Sequence, residues 1–203
     1  NQIEINRNLV RRLLNAKLTA YSRLVYANDR IINPKALTEV GTAIEVDGCF
    51  DDCQALVKQA FMDEELNEEM FLTSANSINL ARFLPQSFYY FYAYCMWKKA
   101  TGKDNPVVAV PSGNYGNLAA GMLAKRMGLP IAGFVAASNA NSVVPEYLES
   151  GEYNPRPSVR TVANAMDVGD PSNFERMMWL CNGSYDAMTD EIKGYWCNDE
   201  MIL

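Results

Sequence analysis

Val107-Val-Ala-Val-Pro-Ser-Gly-Asn-Tyr-Gly-Asn117 joins an apolar run, bounded by Pro106 and Pro111, to a loop of Ser, Gly and Asn. A short apolar run closed by turn residues reads as a buried strand. The Ala- and Gly-rich stretch that follows, Leu118 to Met127, reads as a helix, and Ile131 to Ala137 as the next strand. Strand, loop, helix and strand in this order predict a βαβ unit and a parallel sheet. In such sheets ligands sit at the carboxyl ends of the strands, where loops enter helices. The loop Ser112–Asn117 occupies that position.

Gly113 and Gly116 allow a close approach of backbone to a ligand. Free N–H groups at the start of the following helix point to the same place. Such a turn holds a phosphate dianion through backbone donors and the helix dipole, without a basic side chain. Ser112 and Asn117 add possible side-chain donors. The competing reading of the same residues is a tight turn with a helix cap.

Working outward, Thr73-Ser-Ala-Asn-Ser-Ile-Asn79 leads to Arg82. Amide and hydroxyl groups before a helix, with an arginine in its first turn, suit a small anionic substrate; capping and a surface arginine are the alternative. The helix itself, roughly Leu80 to Lys99, carries Phe88-Tyr-Tyr-Phe-Tyr92, Tyr94 and Trp97. Aromatic residues on every face predict a helix buried between the sheet and a partner surface.

Upstream, Thr42–Val46 and Phe71–Thr73 are short strand candidates, and Asp51 is a candidate cap for a helix through Cys53, Leu56, Val57, Ala60 and Phe61. Residues 63 to 69 read as a solvated turn and helix face. Residues 1 to 40 form a separate N-terminal segment, whose Leu9, Val10, Leu13, Leu14, Leu18, Tyr21, Leu24 and Val25 recur at helical spacing among Arg7, Arg11, Arg12, Lys17 and Arg23. This predicts a basic amphipathic helix, which Asn33-Pro34 ends. Downstream, Asn164-Ala-Met-Asp167 and Asp170-Pro-Ser-Asn173 form a polar turn cluster close to the candidate loop.

The 203 residues are 49% hydrophobic and 21% charged, with a formal net charge of -6. An acidic balance disfavours nucleic acid as a partner. No apolar run reaches the roughly 20 residues that a membrane span needs. Cys49, Cys53, Cys95, Cys181 and Cys197 form no CxxC pattern, and their odd number fits a reducing, cytoplasmic compartment. The chain contains no histidine. That absence excludes a Ser-His-Asp triad, a Cys-His pair and any His-ligated metal within it.

EVDGCFDDCQALVKQAF, LTSANSINLARFLPQSFYYFYAY, VPSGNYGNLAAGMLAKRMGLPI and YNPRPSVRTVANAMDVGDPSNFER occur in one order and resemble successive blocks of the threonine synthase family. The resemblance runs from about residue 41 to 190, leaving 191 to 203 as a C-terminal tail. It implies the fold of the type II pyridoxal phosphate (PLP) enzymes: α/β, an open, mostly parallel sheet with helices on both faces, here preceded by an amphipathic segment. It also implies conversion of O-phosphohomoserine, a small phosphorylated amino acid, and water to threonine and phosphate. By that likeness Ser112, Gly113, Asn114, Tyr115, Gly116 and Asn117 match the PLP-phosphate loop, and Asn76, Ser77, Asn79 and Arg82 match a block assigned to substrate or cofactor-side contacts.

The family's Schiff-base lysine lies in a block like HGPTLAFKD, which this chain lacks, as it lacks SGDTG. Lys17, Lys35, Lys58, Lys98, Lys99, Lys103, Lys125 and Lys193 all stand in other contexts. The expectation is a fragment of a threonine synthase that carries the phosphate-binding part of the site without a catalytic lysine. The alternatives are a non-catalytic module that binds PLP or phosphate, and a degenerate structural paralogue.

Overall fold

The computed structural model describes residues 47, 50–69, 71–72, 77 and 79–203. The expected N-terminal amphipathic helix, the strand at Thr42–Val46 and Asn76 lie outside the described residues. The chain divides into two compact units, Asn1–Asn76 and Ser77–Leu203.

The described part of the first unit is helical. Helix α1 spans Phe50–Met62 and α2 spans Glu64–Glu69. Helix α1 begins at Phe50, so Asp51, the expected cap, is the second residue of the helix. Asp63 separates the helices and starts the second: its Oδ1 accepts from Leu66 N at 3.2 Å, satisfying an N–H that the first turn leaves without a partner. Phe71 and Leu72 have no regular structure, so the strand expected at Phe71–Thr73 does not form there. Phe71 is 95% exposed, without the packing that gives a short apolar run its strand preference.

The second unit opens with α3, Leu80–Thr101, and continues through β1 (Val107–Pro111), α4 (Gly116–Arg126), β2 (Gly133–Ser138) and α5 (Val143–Ser150). A 3-10 turn at Asn164–Met166 precedes α6 (Phe174–Leu180), α7 (Tyr185–Glu191), β3 (Ile192–Trp196) and α8 (Asp199–Ile202). The sheet order is β1-β2-β3, and both pairings are parallel. Val107 pairs with Gly133, and Phe134 with Ile192. The open parallel α/β architecture is therefore present, and Ile192–Trp196, read from sequence as part of a tail, is its third strand.

The buried side of this sheet carries Val110, Phe134, Ala136 and Ile192, while Val107, Ala109, Pro111, Lys193 and Tyr195 on the other side are exposed. Residues of α4 cover the buried side. Leu118, Ala119, Ala120, Met122 and Ala124 are fully buried there. Each large apolar side chain so enclosed contributes about 1.5–3 kcal/mol. Small residues on α4 let α3 come close: a Cβ on Gly121 would lie 2.5 Å from the Tyr90 ring. Tyr90 fills that space, meets Phe134 edge-on at 6.2 Å, and donates its hydroxyl to Asn117 O at 2.9 Å.

The aromatic helix is not buried all round. It buries Phe83, Ser87 and Tyr90, one stripe at helical spacing, whereas Phe88, Tyr89 and Tyr92 are 60%, 68% and 70% exposed. The stripe directed at Gly121 and Phe134 is the most deeply buried, and Phe91 and Tyr94 beside it are partly buried against the same core.

Candidate functional site

The turn from β1 into α4 is anchored at its start and open beyond it. Ser112 N donates to Ala137 O at 2.8 Å, which extends the β1–β2 ladder, and Ser112 Oγ donates back to Val110 O at 3.0 Å. Ser112 is thus buried and engaged with its own sheet. From Gly113 to Asn117 the backbone N–H groups have no hydrogen-bond partner among the described residues. They form a run of donors at the carboxyl end of β1 and the amino end of α4, the arrangement that favours an anion.

Tyr115 gives the turn its shape. Its φ of 57° and ψ of 13° place a non-glycine residue in the left-handed region, which costs about 1–2 kcal/mol. Its ring is buried, and its hydroxyl finds no partner among the described residues. Burial pushes its pKa up to about 12, with a small opposing effect from the nearby Ser138 hydroxyl. Ser138 donates its own proton to Asn141 O at 2.9 Å.

Asn114 ties the turn to two other segments. Its Nδ2 donates to Ser77 Oγ at 2.6 Å, and its Oδ1 accepts from Ser172 N at 2.6 Å and Ser172 Oγ at 2.9 Å. Its carbonyl accepts from Asn173 Nδ2 at 2.9 Å. The Asn114 side chain therefore positions the loop. Gly113 abuts the neighbouring segment, since a Cβ there would sit 3.0 Å from Met166 Cα. The polar clusters at Asn164–Asp167 and Asp170–Asn173 lie against the loop, as their sequence suggested.

Of the expected substrate contacts, Ser77 reaches the loop through Asn114. Asn79 instead caps α3, its Oδ1 accepting from Ala81 N at 2.8 Å. Arg82 is exposed in the first turn of α3. Asn117 is exposed, with its carbonyl held by Tyr90. Arg176 was not singled out from sequence. Its Nη1 donates to Ser77 O at 2.8 Å and to Asn173 Oδ1 at 2.6 Å, and its guanidinium lies 4.8 Å from the centre of the Phe83 ring. Burial lowers its pKa from the ordinary arginine value. The i, i+3 spacing of Asn173 and Arg176, directly after a polar turn, was the available signal.

The second unit's lysines with assigned partners lie away from this loop. Lys98 pairs with Asp104 at 2.7 Å, Lys125 donates to Ala132 O at 3.2 Å, and Lys193 to Thr189 O at 2.6 Å. These residues flank the amino ends of the strands, opposite the carboxyl end where the loop stands.

An open parallel sheet with a donor-rich turn after its first strand defines the class: an α/β domain with a ligand-ready turn at the carboxyl edge of its sheet. Within that class the chain resembles threonine synthase. It is 51% identical over 147 residues to the threonine synthase of Haemophilus influenzae, covering 72% of this chain and 34% of that protein. The solved threonine synthase of Escherichia coli aligns with a TM-score of 0.71 at 44% identity, over 78% of this chain and 36% of that one. A PLP-bound threonine synthase from Brucella melitensis aligns with a TM-score of 0.66 at 34% identity, over 78% and 39%. No family model matches the chain. The chain thus spans little more than a third of the length of these relatives.

Proposed function

We propose that this chain supplies the phosphate-holding part of a threonine synthase active site, with PLP as the cofactor and O-phosphohomoserine as the substrate of the complete reaction. The observation that carries this reading is the run of backbone N–H groups from Gly113 to Asn117, held open by Asn114 and without partners among the described residues. The site fits the group. The donors are neutral, oriented and backed by α4, and Gly113 lets the turn pack against the Met166 backbone, where a side chain would clash. PLP, when bound, supplies the electron sink that elimination and replacement at the β- and γ-carbons require.

This chain's residues have a narrower task. Gly113, Asn114, Gly116 and Asn117 donate N–H groups to the phosphate, Tyr115 sets the turn, and Ser112 fastens it to β2. Ser77 contacts the same loop, and Asn76, Asn79 and Arg82 of the same sequence block are candidate substrate-side groups with it. None of the lysines occupies the family's Schiff-base block, so the residues here bind and orient without supplying the covalent base. Cys53, Cys95, Cys181 and Cys197 are free thiols, which supports a cytoplasmic address.

Equilibrium dialysis of the chain against PLP and against inorganic phosphate tests the assignment. Retention of PLP well above phosphate is expected. Equal retention of both would indicate a general anion turn, and retention of neither would remove the reading.

A further inference from the structure

Asn114, Ser77, Arg176 and Asn173 close a ring of hydrogen bonds. Asn114 Nδ2 donates to Ser77 Oγ, Arg176 Nη1 donates to both Ser77 O and Asn173 Oδ1, and Asn173 Nδ2 donates back to Asn114 O. The ring joins three segments distant in sequence: the turn before α3, the β1–α4 loop and the start of α6. Asn173 is fully buried, so its amide cannot exchange a lost partner for water. The guanidinium stacks on Phe83, an α3 side chain that is itself buried, and this fixes the plane from which Nη1 donates. Adding a Cβ at Gly116 would bring it 3.3 Å from Asn173 Nδ2 and 3.4 Å from Ser77 Cβ, so the ring also packs against the first residue of α4.

We propose that Arg176 is a positioning residue for the anion loop: it touches no ligand, but through Ser77 and Asn173 it holds Asn114, and hence the N–H run from Gly113 to Asn117, in the donating geometry. Arg176 bridges two acceptors from one nitrogen, so removing it breaks the ring at Ser77 and at the buried Asn173 together. The strain at Tyr115 makes this restraint necessary. A turn with a left-handed non-glycine residue relaxes unless its neighbours hold it.

The ligand half of this inference rests on the PLP reading, whereas the geometric half does not. The experiment therefore measures both on the same chain: amide hydrogen exchange without ligand at Ser172 and Ala119, whose N–H groups donate to Asn114 Oδ1 and Tyr115 O, and PLP affinity by dialysis, in the unaltered protein and in R176Q and R176K. In R176Q, exchange at Ser172 and Ala119 should rise about tenfold, as expected for loss of one charge-assisted hydrogen bond, while Val110 and Phe134 keep their protection. PLP affinity should fall by a similar factor, and R176K, which retains a charged donor, should recover part of both. Unchanged exchange at Ser172 and Ala119 in R176Q overturns the inference, as does an equal rise in the strands, which would mark a general loss of stability. If the unaltered chain retains no PLP, the functional reading fails and the exchange result alone decides the ring. If R176Q does not fold, S77A opens the same ring at a half-buried hydroxyl, and unchanged exchange at Ser172 and Ala119 there overturns the proposal equally.

Discussion

Two turns leave the carboxyl end of the same sheet side by side, and they use similar residues to opposite ends. The β1–α4 turn, Ser112–Asn117, keeps its backbone donors without partners among the described residues. The β2–α5 turn engages nearly everything it has. Asn139 Nδ2 donates to Thr161 Oγ1 and to Asp167 Oδ1 at 2.8 and 2.7 Å, and Asn141 Nδ2 donates to Asn139 Oδ1 and Val159 O at 3.0 and 2.9 Å. Thr161 N and Oγ1 donate to the Asp167 carboxylate, and Val159 N to Asn141 Oδ1. At the rim, Arg156 grips Glu146 with both terminal nitrogens, at 2.7 and 2.6 Å. The first turn is a cradle and the second a lock. The lock immobilises the segment that ends at Met166, against which Gly113 rests. Composition alone does not separate the two; the difference lies in whether a loop folds back to satisfy the polar groups.

The comparison breaks first at the lock. N139A should cost about 3 kcal/mol of stability in a denaturant titration, because it strands buried partners in a connected network; a loss below about 1 kcal/mol would mean the network is slack. G113V should act on the cradle instead. Its side chain meets the Met166 backbone, so PLP retention in dialysis should fall at least about tenfold, with a stability change of only about 1–2 kcal/mol. A large stability loss with intact retention would reverse the two roles.

Y115F sharpens the contrast, since, among the described residues, the cradle contains a buried hydroxyl without a partner and the lock does not. Removing that hydroxyl should raise stability by about 1 kcal/mol, seen as a higher denaturation midpoint.

The smallest effect concerns the rim. The Arg156 guanidinium and the Ser142 hydroxyl hold the Glu146 pKa down to about 2. A carboxylate pKa that is lower in the folded state adds stability above its ordinary value, near 4.5, and that gain is lost as pH falls towards 2. The pair is largely exposed, so E146Q should cost under about 1 kcal/mol at neutral pH. The gap between E146Q and the unaltered chain should close in melts run from pH 5 to pH 2.

Much of this was legible in the sequence. Val107–Val110 between prolines, the glycine spacing of the loop, the long helix from Leu80 and the polar turn before Phe174 all carry local signals, and each is found where those signals place it. What the sequence hid depends on distant partners. Ile192-Lys-Gly-Tyr-Trp196 has no flanking turn signal on its amino side, following α7 directly, and becomes a strand by pairing with β2. Arg176 reads as an ordinary helix residue until Ser77 lies beside it. The inner stripe of α3 meets the sheet as its composition suggested, while Phe88, Tyr89 and Tyr92, expected against a partner surface, are exposed on the single chain.

The register of the sheet also orders events in time. Val107 and Gly133, joined through α4 alone, are less than half as far apart along the chain as Phe134 and Ile192. Closing the shorter loop costs less entropy, so β1, α4 and β2 should associate before β3 arrives. The β1–α4 turn belongs to that early unit, and the lock closes on the slower one. A chain still folding would therefore present the open backbone donors of that turn before the segment that steadies them had settled into place.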